Sequence, residues 1–226
     1  MKATKRWLSA ALLVTVGLTP TFADTVIYPK DNGFDAQDLS SGFYAYQIFS
    51  APVLDARGIP GPDPLPNRTP WTFAFAGSPS PGIGSSGVAA NGSGFYLANA
   101  TNGDSDGAKS TCGQAAYLQG RGCSISQSVP LPAGTYYVTF DFEARRDYAP
   151  ANEIAVYIDD TLLFQGSPTD TDKFHPVETQ TISLKEAGPH VLTFFGLGVK
   201  EDLYGDHTTF IDNVAIHRVD FQFEMR

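Results

Sequence analysis

The chain has 226 residues, with 15 Lys and Arg against 24 Asp and Glu and a formal net charge of −9. An acidic balance of this size excludes nucleic acid and anionic membrane as natural partners and suits an extracellular protein or one that binds cations. The charge is dispersed along the chain and does not form an acidic tail.

Lys2, Lys5 and Arg6 precede an apolar stretch from Trp7 to Leu18, and Thr21-Phe22-Ala23 closes it with small residues at the first and third positions. This is the pattern of a secretory signal over residues 1–23, too short to span a membrane. A short N-terminal anchor is the alternative. The expected location is therefore secreted, extracellular or periplasmic. Residues 1–23 carry three basic and no acidic groups, so a chain processed to Asp24–Arg226 has 203 residues and a net charge of −12. That length is enough for one self-sufficient core, expected over residues 24–218.

Beyond the leader, apolar residues recur with period 2 and Gly and Pro punctuate the chain, which predicts an all-β sandwich. Strands are expected at 25–28, 43–49, 71–75, 94–98, 114–119, 124–129, 135–142, 153–158, 161–165, 178–184, 190–195 and 208–217. Residues 51–70 hold six prolines and two glycines and read as a loop, as does the Gly- and Ser-rich stretch 76–93. Cys112 and Cys123 both lie in the exported part, and in an oxidising compartment they most simply form one disulfide; a Cys-based metal site is the alternative. Leu131-Pro132-Ala133-Gly134 is a turn, because Pro132 presets φ and Gly134 tolerates φ > 0. Asp159-Asp160 reads as a hairpin turn. The tail 219–226 is either an added edge strand or a frayed end.

The strand after Gly134 alternates cleanly. Tyr136, Val138, Phe140 and Phe142 share one face, while Tyr137, Thr139, Asp141 and Glu143 share the other. The second face, extended by Tyr117 and Gln119 on one neighbour and Tyr157 and Asp159 on another, and ended by Arg145, offers flat rings and planar polar groups of the kind that bind sugars. An ordinary solvated sheet face shows the same alternation. The loop 200–207, with Tyr204 among Glu201, Asp202, Asp206 and His207, is a further candidate for ligand or cation contact, or is simply solvated.

Taken in order, Asn32-Gly33-Phe34-Asp35, Pro70-Trp71-Thr72-Phe73, Asn91-Gly92-Ser93-Gly94-Phe95, Ala116-Tyr117-Leu118-Gln119-Gly120, Ser124-Ile125-Ser126-Gln127-Ser128-Val129, Leu131 to Tyr136, Phe140 to Arg145, Val156-Tyr157-Ile158-Asp159-Asp160 and Ile211-Asp212-Asn213-Val214-Ala215-Ile216 resemble a galactose-binding-domain-like jelly roll. The similarity is to bacterial exported proteins that resemble the plant cell-wall tandem-domain proteins of this fold. The Pro-rich segment 51–70 and the cysteine pair depart from that pattern.

The resemblance implies a two-sheet sandwich that binds carbohydrate, with structural calcium between the N-terminal segment and the last strand. Asp212 falls in an apolar row with Phe210, Val214 and Ile216, so its carboxylate needs a partner. Calcium ligation with Asn32 and Asp35 is one reading, and a hydrogen bond that fixes a turn is the other. No His-Glu-x-x-His pattern is present, and no Gly-rich loop opens a helix. Asp141 and Glu143 are spaced as a conceivable glycosidase pair, but any i, i+2 pair on a strand is. The expectation is thus a non-catalytic, monomeric protein that binds polysaccharide or glycan. A structural or adhesive protein is the second reading and a glycoside hydrolase the third.

Overall fold

The computed structural model describes residues 18–36, 39, 43–46, 54–55, 69–75, 85–95, 100, 113–147, 150–171, 173–199 and 207–225. Fourteen strands run in chain order: β1 (Leu18–Ile27), β2 (Phe43–Tyr46), β3 (Leu54–Asp55), β4 (Thr72–Phe75), β5 (Ser85–Ala90), β6 (Gln114–Gln119), β7 (Cys123–Leu131) and β8 (Gly134–Ala144), then β9 (Glu153–Ile158), β10 (Thr161–Gly166), β11 (His175–Glu178), β12 (Ile182–Leu184), β13 (Gly188–Gly198) and β14 (Thr208–Met225). There is no helix among the described residues.

The strands form two antiparallel sheets. The larger has the order β11-β8-β14-β6-β5-β2-β3, with β1 also on β14 and β12 also on β8; the smaller has the order β10-β9-β13-β7-β4. The expected all-β jelly-roll sandwich is what the chain forms. The core lies between the sheets. Val138 and Phe140 of β8, Ala116 and Leu118 of β6, and Ile211, Val214 and Ile216 of β14 meet Ile154, Val156 and Ile158 of β9 and Leu192 and Phe194 of β13. Phe140 stands edge-on to Phe194 at 5.2 Å and to Phe164 at 5.6 Å.

Local patterning decides most of these elements. The turn at Leu131–Gly134 joins β7 to β8, and Asp159, at φ 51°, begins the turn from β9 to β10. Asp tolerates this left-handed conformation better than most residues. The structure also moves several boundaries. Ser85–Ala90 pairs with β6 as a strand, where Gly and Ser content predicts a loop, because small residues let Ser86 to Ala90 lie buried between β2 and β6. Gly94 and Phe95 form a turn rather than the start of a strand. The expected strand at 178–184 is two short ones, β11 and β12, both on β8.

One bulge has consequences for the whole face. Between Asp212 and Ala215 the pairing of β14 with β8 slips, with Asn213 at φ 52°. An inserted residue reverses side-chain parity beyond it. Ile211, Val214 and Ile216 therefore point into the core while Asp212 sits opposite Asp141, so Asp212 does not belong to the apolar row that simple alternation assigns it.

Residues 30–36 close one end of the sandwich. Gln127 of β7 accepts from the Lys30 N–H and donates to its carbonyl, both at 2.9 Å. Gln114 of β6 donates to the Phe34 carbonyl at 3.0 Å and accepts from Leu39 N–H at 2.6 Å. The Trp71 indole donates to the Asp31 carbonyl at 2.8 Å, and Val214 N–H donates to that of Asn32 at 2.9 Å. Phe34 itself packs 5.0 Å from Trp71 inside the core.

This brace yields a stability prediction. Gln127→Ala leaves the Lys30 amide and carbonyl without their partner and is expected to cost about 1–3 kcal/mol in urea unfolding with an unchanged m value. A loss below about 0.5 kcal/mol would contradict the brace.

Candidate functional site

The outer face of the larger sheet is the place where the alternation of β8 puts polar groups, but most of it is covered. Tyr117 is 0% exposed and lies in a second apolar cluster with Phe95, Ala100, Ala115 and Phe210. Its ring is 4.5 Å from that of Phe95. Glu143 is 1% exposed, and Gln119 is buried and accepts from the Ser85 hydroxyl at 2.8 Å. Arg145 is buried as well; it donates to the Gly94 carbonyl at 3.1 Å and its guanidinium sits 4.6 Å over the Phe95 ring. Four of the expected ligand contacts, Tyr117, Gln119, Glu143 and Arg145, are thus structural. The outward rings of Tyr117 and Phe210 recruit Phe95 as a lid, a long-range contact that alternation along one strand cannot reveal. With Glu143 sealed, Asp141 and Glu143 do not face a common space in which a glycosidic bond would fit.

The rest of this face is half-buried and internally committed. The Tyr137 ring stacks on His217 at 4.5 Å, and its hydroxyl donates to Asp24 at 2.5 Å. That hydrogen bond, with burial adding to it, pushes the Tyr137 phenol up to about 12. Asp141 accepts from the Asn213 side chain at 2.8 Å, and Thr139 lies 2.9 Å from the His217 ring. Tyr204 and the acidic residues 201, 202 and 206 lie outside the described residues.

The expected metal ligands Asn32, Asp35 and Asp212 are all buried at the closed end of the sandwich. Their surroundings fit a calcium cage poorly. The carbonyls of Lys30, Asp31, Asn32 and Phe34 each accept a protein donor, Asp212 accepts from Asn213 N–H at 2.8 Å, and Asp31 accepts from Ala36 N–H at 2.7 Å. No three Asp, Glu, His or Cys side chains meet at metal-holding distance among the described residues. The donor set fits a hydrogen-bonded brace. Melting in calcium and in chelator is expected to give the same midpoint; stabilisation by calcium of several degrees would return the ion to Asn32, Asp35 and Asp212.

Cys123 carries a free thiol in the core, where the expected disulfide would have engaged it; Cys112 lies outside the described residues. The thiol donates to the Gly120 carbonyl at 3.2 Å, and burial pushes it up to about 12. It is packed against Gly196, where a Cβ would come within 2.5 Å of the sulfur, so the neighbouring strand must carry glycine here.

The open surface is on the other side of the molecule, on the smaller sheet. Core residues Val156, Ile158, Leu192 and Phe194 fix parity, so Tyr157, Thr193 and Phe195 face outward. Register aligns them across all five strands. One row reads Leu162, Tyr157, Thr193, Ser126, Thr72 and the next reads Gln165, Ala155, Phe195, Ser124, Ala74. Tyr157, Asp159, Asp160, Thr193 and Phe195 line an open hollow of about 320 Å³. Leu162 and Val191 beside it are 38% and 41% exposed. The outward positions of β4 and β7 beside them are Ser, Thr and Ala, so the half-buried rings of Tyr157 and Phe195 are the aromatic groups of this band.

Asp159 holds the rim. It accepts from the Val191 N–H at 2.9 Å and from the His190 ring at 2.7 Å, while the other ring nitrogen of His190 lies 3.2 Å from the Glu186 carbonyl. The hydrogen bond to Asp159 raises His190 above its ordinary value against an opposing effect of burial. Burial pulls Asp159 upward, but His190 and the Val191 N–H together hold it below the usual carboxylate range. Of the sequence candidates only Tyr157 and Asp159 reach this hollow. Thr193, Phe195 and Asp160 were missed as contacts, although Ser124, Ser126 and Ser128 alternating opposite them is a readable sign of an outward face.

No protein-family model matches this chain, and none of the curated proteins does. Solved structures with a similar strand arrangement include the C-terminal CBM6 of LamC, a marine laminarinase from Zobellia galactanivorans. It is 16% identical, with 51% of this chain and 83% of its own covered and a TM-score of 0.34. An adhesin domain of Lys-gingipain from Porphyromonas gingivalis is also 16% identical, over 65% of this chain and 90% of its own, with a TM-score of 0.38. At these values the likeness is one of strand arrangement and does not bear on a ligand.

The rim pair predicts a pH dependence. A raised His190 stabilises the fold fully below about pH 6.5 and loses that contribution as pH rises through its raised value; a lowered Asp159 contributes above about pH 4 and loses it as pH falls. The melting difference between the native chain and His190→Gln is therefore expected to be larger at about pH 5.5 than at about pH 9. An equal difference at both would remove the charged pair.

Proposed function

We propose that this protein is a secreted, non-catalytic carbohydrate-binding protein and that a polysaccharide chain lies across the outer face of the smaller sheet. The observation that supports this is the alignment of Tyr157 and Phe195 in adjacent cross-strand rows, above a floor of small hydroxylated residues and beside an open hollow. Pyranose rings present apolar C–H faces that stack on aromatic rings, and their hydroxyls pair with planar or hydroxylic side chains. Thr193, Ser126, Gln165 and the exposed Asp160 supply such groups along the same band. Five strands at about 4.8 Å spacing give a track about 20 Å long, which suits the interior of a polymer more than a single sugar.

Charge narrows the class. The chain carries −9, and Asp159 and Asp160 flank the hollow, so an anionic polyuronate is repelled and a neutral polysaccharide is favoured. Catalysis has no support in this band, where no acid and base face each other across the track.

Affinity electrophoresis or pull-down on neutral plant and bacterial polysaccharides tests the reading. Retention is expected on at least one neutral polymer, with Tyr157→Ala and Phe195→Ala each weakening it about tenfold or more. Asp141→Asn and Tyr137→Phe, on the opposite sheet, are expected to leave retention unchanged. Undiminished binding by both aromatic variants would remove the site, and retention on no neutral polymer would remove the function.

A further inference from the structure

The five strands of the smaller sheet, β4, β7, β9, β10 and β13, contain no Lys or Arg. The charged side chains that line its open hollow are Asp159 and Asp160, in the turn between β9 and β10. The two are not equivalent. Asp159 is committed to the His190 ring and the Val191 N–H, at 2.7 and 2.9 Å. Glu153, at the far end of β9, accepts from the Gln165 amide at 2.9 Å. Asp160 is exposed and has no hydrogen-bond or ion-pair partner among the described residues. The hollow thus combines two aromatic rings, Tyr157 and Phe195, with one uncommitted carboxylate and no basic side chain.

That combination suits a cation better than a neutral group. Tyr157 stands two residues before Asp159, about 6–7 Å along the strand, so ring and turn border the same space. A sugar stacked on the ring presents its apolar C–H face to it and its substituents to the side. A hydroxyl there offers Asp160 a neutral donor. A protonated amino group offers a charge-assisted hydrogen bond, and its charge is also attracted to the faces of the two rings. N-acetylation removes that charge, and a uronate carboxylate turns attraction into repulsion. Resting on the reading that a polysaccharide lies across this face, we propose that the preferred ligand is a polysaccharide with free amino groups and that Asp160 is the residue that selects it. The net charge of −9 attracts such a polymer at longer range, but it does not depend on any one carboxylate.

The test titrates the protein calorimetrically, at about pH 6 where the amines are protonated, with a chitosan oligosaccharide and with the chitin and cellulose oligosaccharides of the same length. The amino oligomer is expected to bind about fivefold or more tightly than either neutral one. Asp160→Asn is expected to bring the affinities for amino and neutral oligomers within about twofold of each other. Glu178→Gln, an exposed site on the larger sheet, removes the same net charge and is expected to keep the preference. Unchanged melting midpoints confirm that both variants are folded. Equal affinity for amino and neutral oligomers would overturn the proposal and leave carbohydrate binding in place. A preference that survives Asp160→Asn, or that Glu178→Gln removes equally, would overturn it as well, because attraction would then come from the whole chain. Binding of none of the three oligomers would also overturn it, while retention on other neutral polymers would still uphold the function proposed above.

Discussion

The turn at residues 30–36 is the contact on which the rest of the sandwich depends. It is a short piece of irregular backbone placed where two sheets would otherwise leave their ends open. Buried backbone groups must be paired, and here the pairs come from both layers: Gln114 and Val214 from the larger sheet, Gln127 from the smaller, and the Trp71 indole from the segment leading into β4. Asp31 and Phe34 take left-handed φ values of 54° and 60° to satisfy this geometry, and the Phe34 ring fills the space so created. The strain of two non-glycine residues in this region is offset by a set of hydrogen bonds that only the assembled sandwich provides. An arrangement of this kind fixes the separation of the sheets at one end.

With the layers fixed, side-chain parity decides which surface meets solvent. Both outer faces begin with the same alternation, yet they end differently. On the larger sheet Tyr117 and Phe210 put rings outward near the β6–β14 junction, and such rings do not stay in water; Phe95 covers them, and the Arg145 guanidinium lies in turn over the Phe95 ring. On the smaller sheet the outward residues of β7 and β4 are Ser, Thr and Ala, which give nothing to cap. That face stays open, and the two rings that it carries stand half-buried beside the hollow.

Much of this was legible in the chain. Strands β6 and β9 fall where alternation predicts them to the residue, and the turns at Pro132-Ala133 and Asp159-Asp160 follow from their own chemistry. The brace left a trace as well, since Asn32, Asp35 and Asp212 were singled out, but the role given to them by resemblance differs from the hydrogen bonds around them. What alternation could not supply was non-local. The slip at Asn213 reverses the parity of a strand that reads as regular, because Asn can take the left-handed conformation without any other sign in the sequence. The lid over Tyr117 comes from a segment about twenty residues upstream, and no period within one strand reports it. Phe195 ends the strand expected at 190–195, and its outward direction emerges only when β9 and β7 are set beside it.

The central claim is that the ligand-binding surface lies on β9, β13 and β7 rather than on β8. Amide chemical-shift mapping during titration with a neutral oligosaccharide tests it most directly. The account predicts perturbations clustered at residues 155–161, 191–196 and 124–128, with 137–143 unaffected. Perturbations centred on Tyr137 to Glu143, with the Tyr157 and Phe195 amides unmoved, would contradict it.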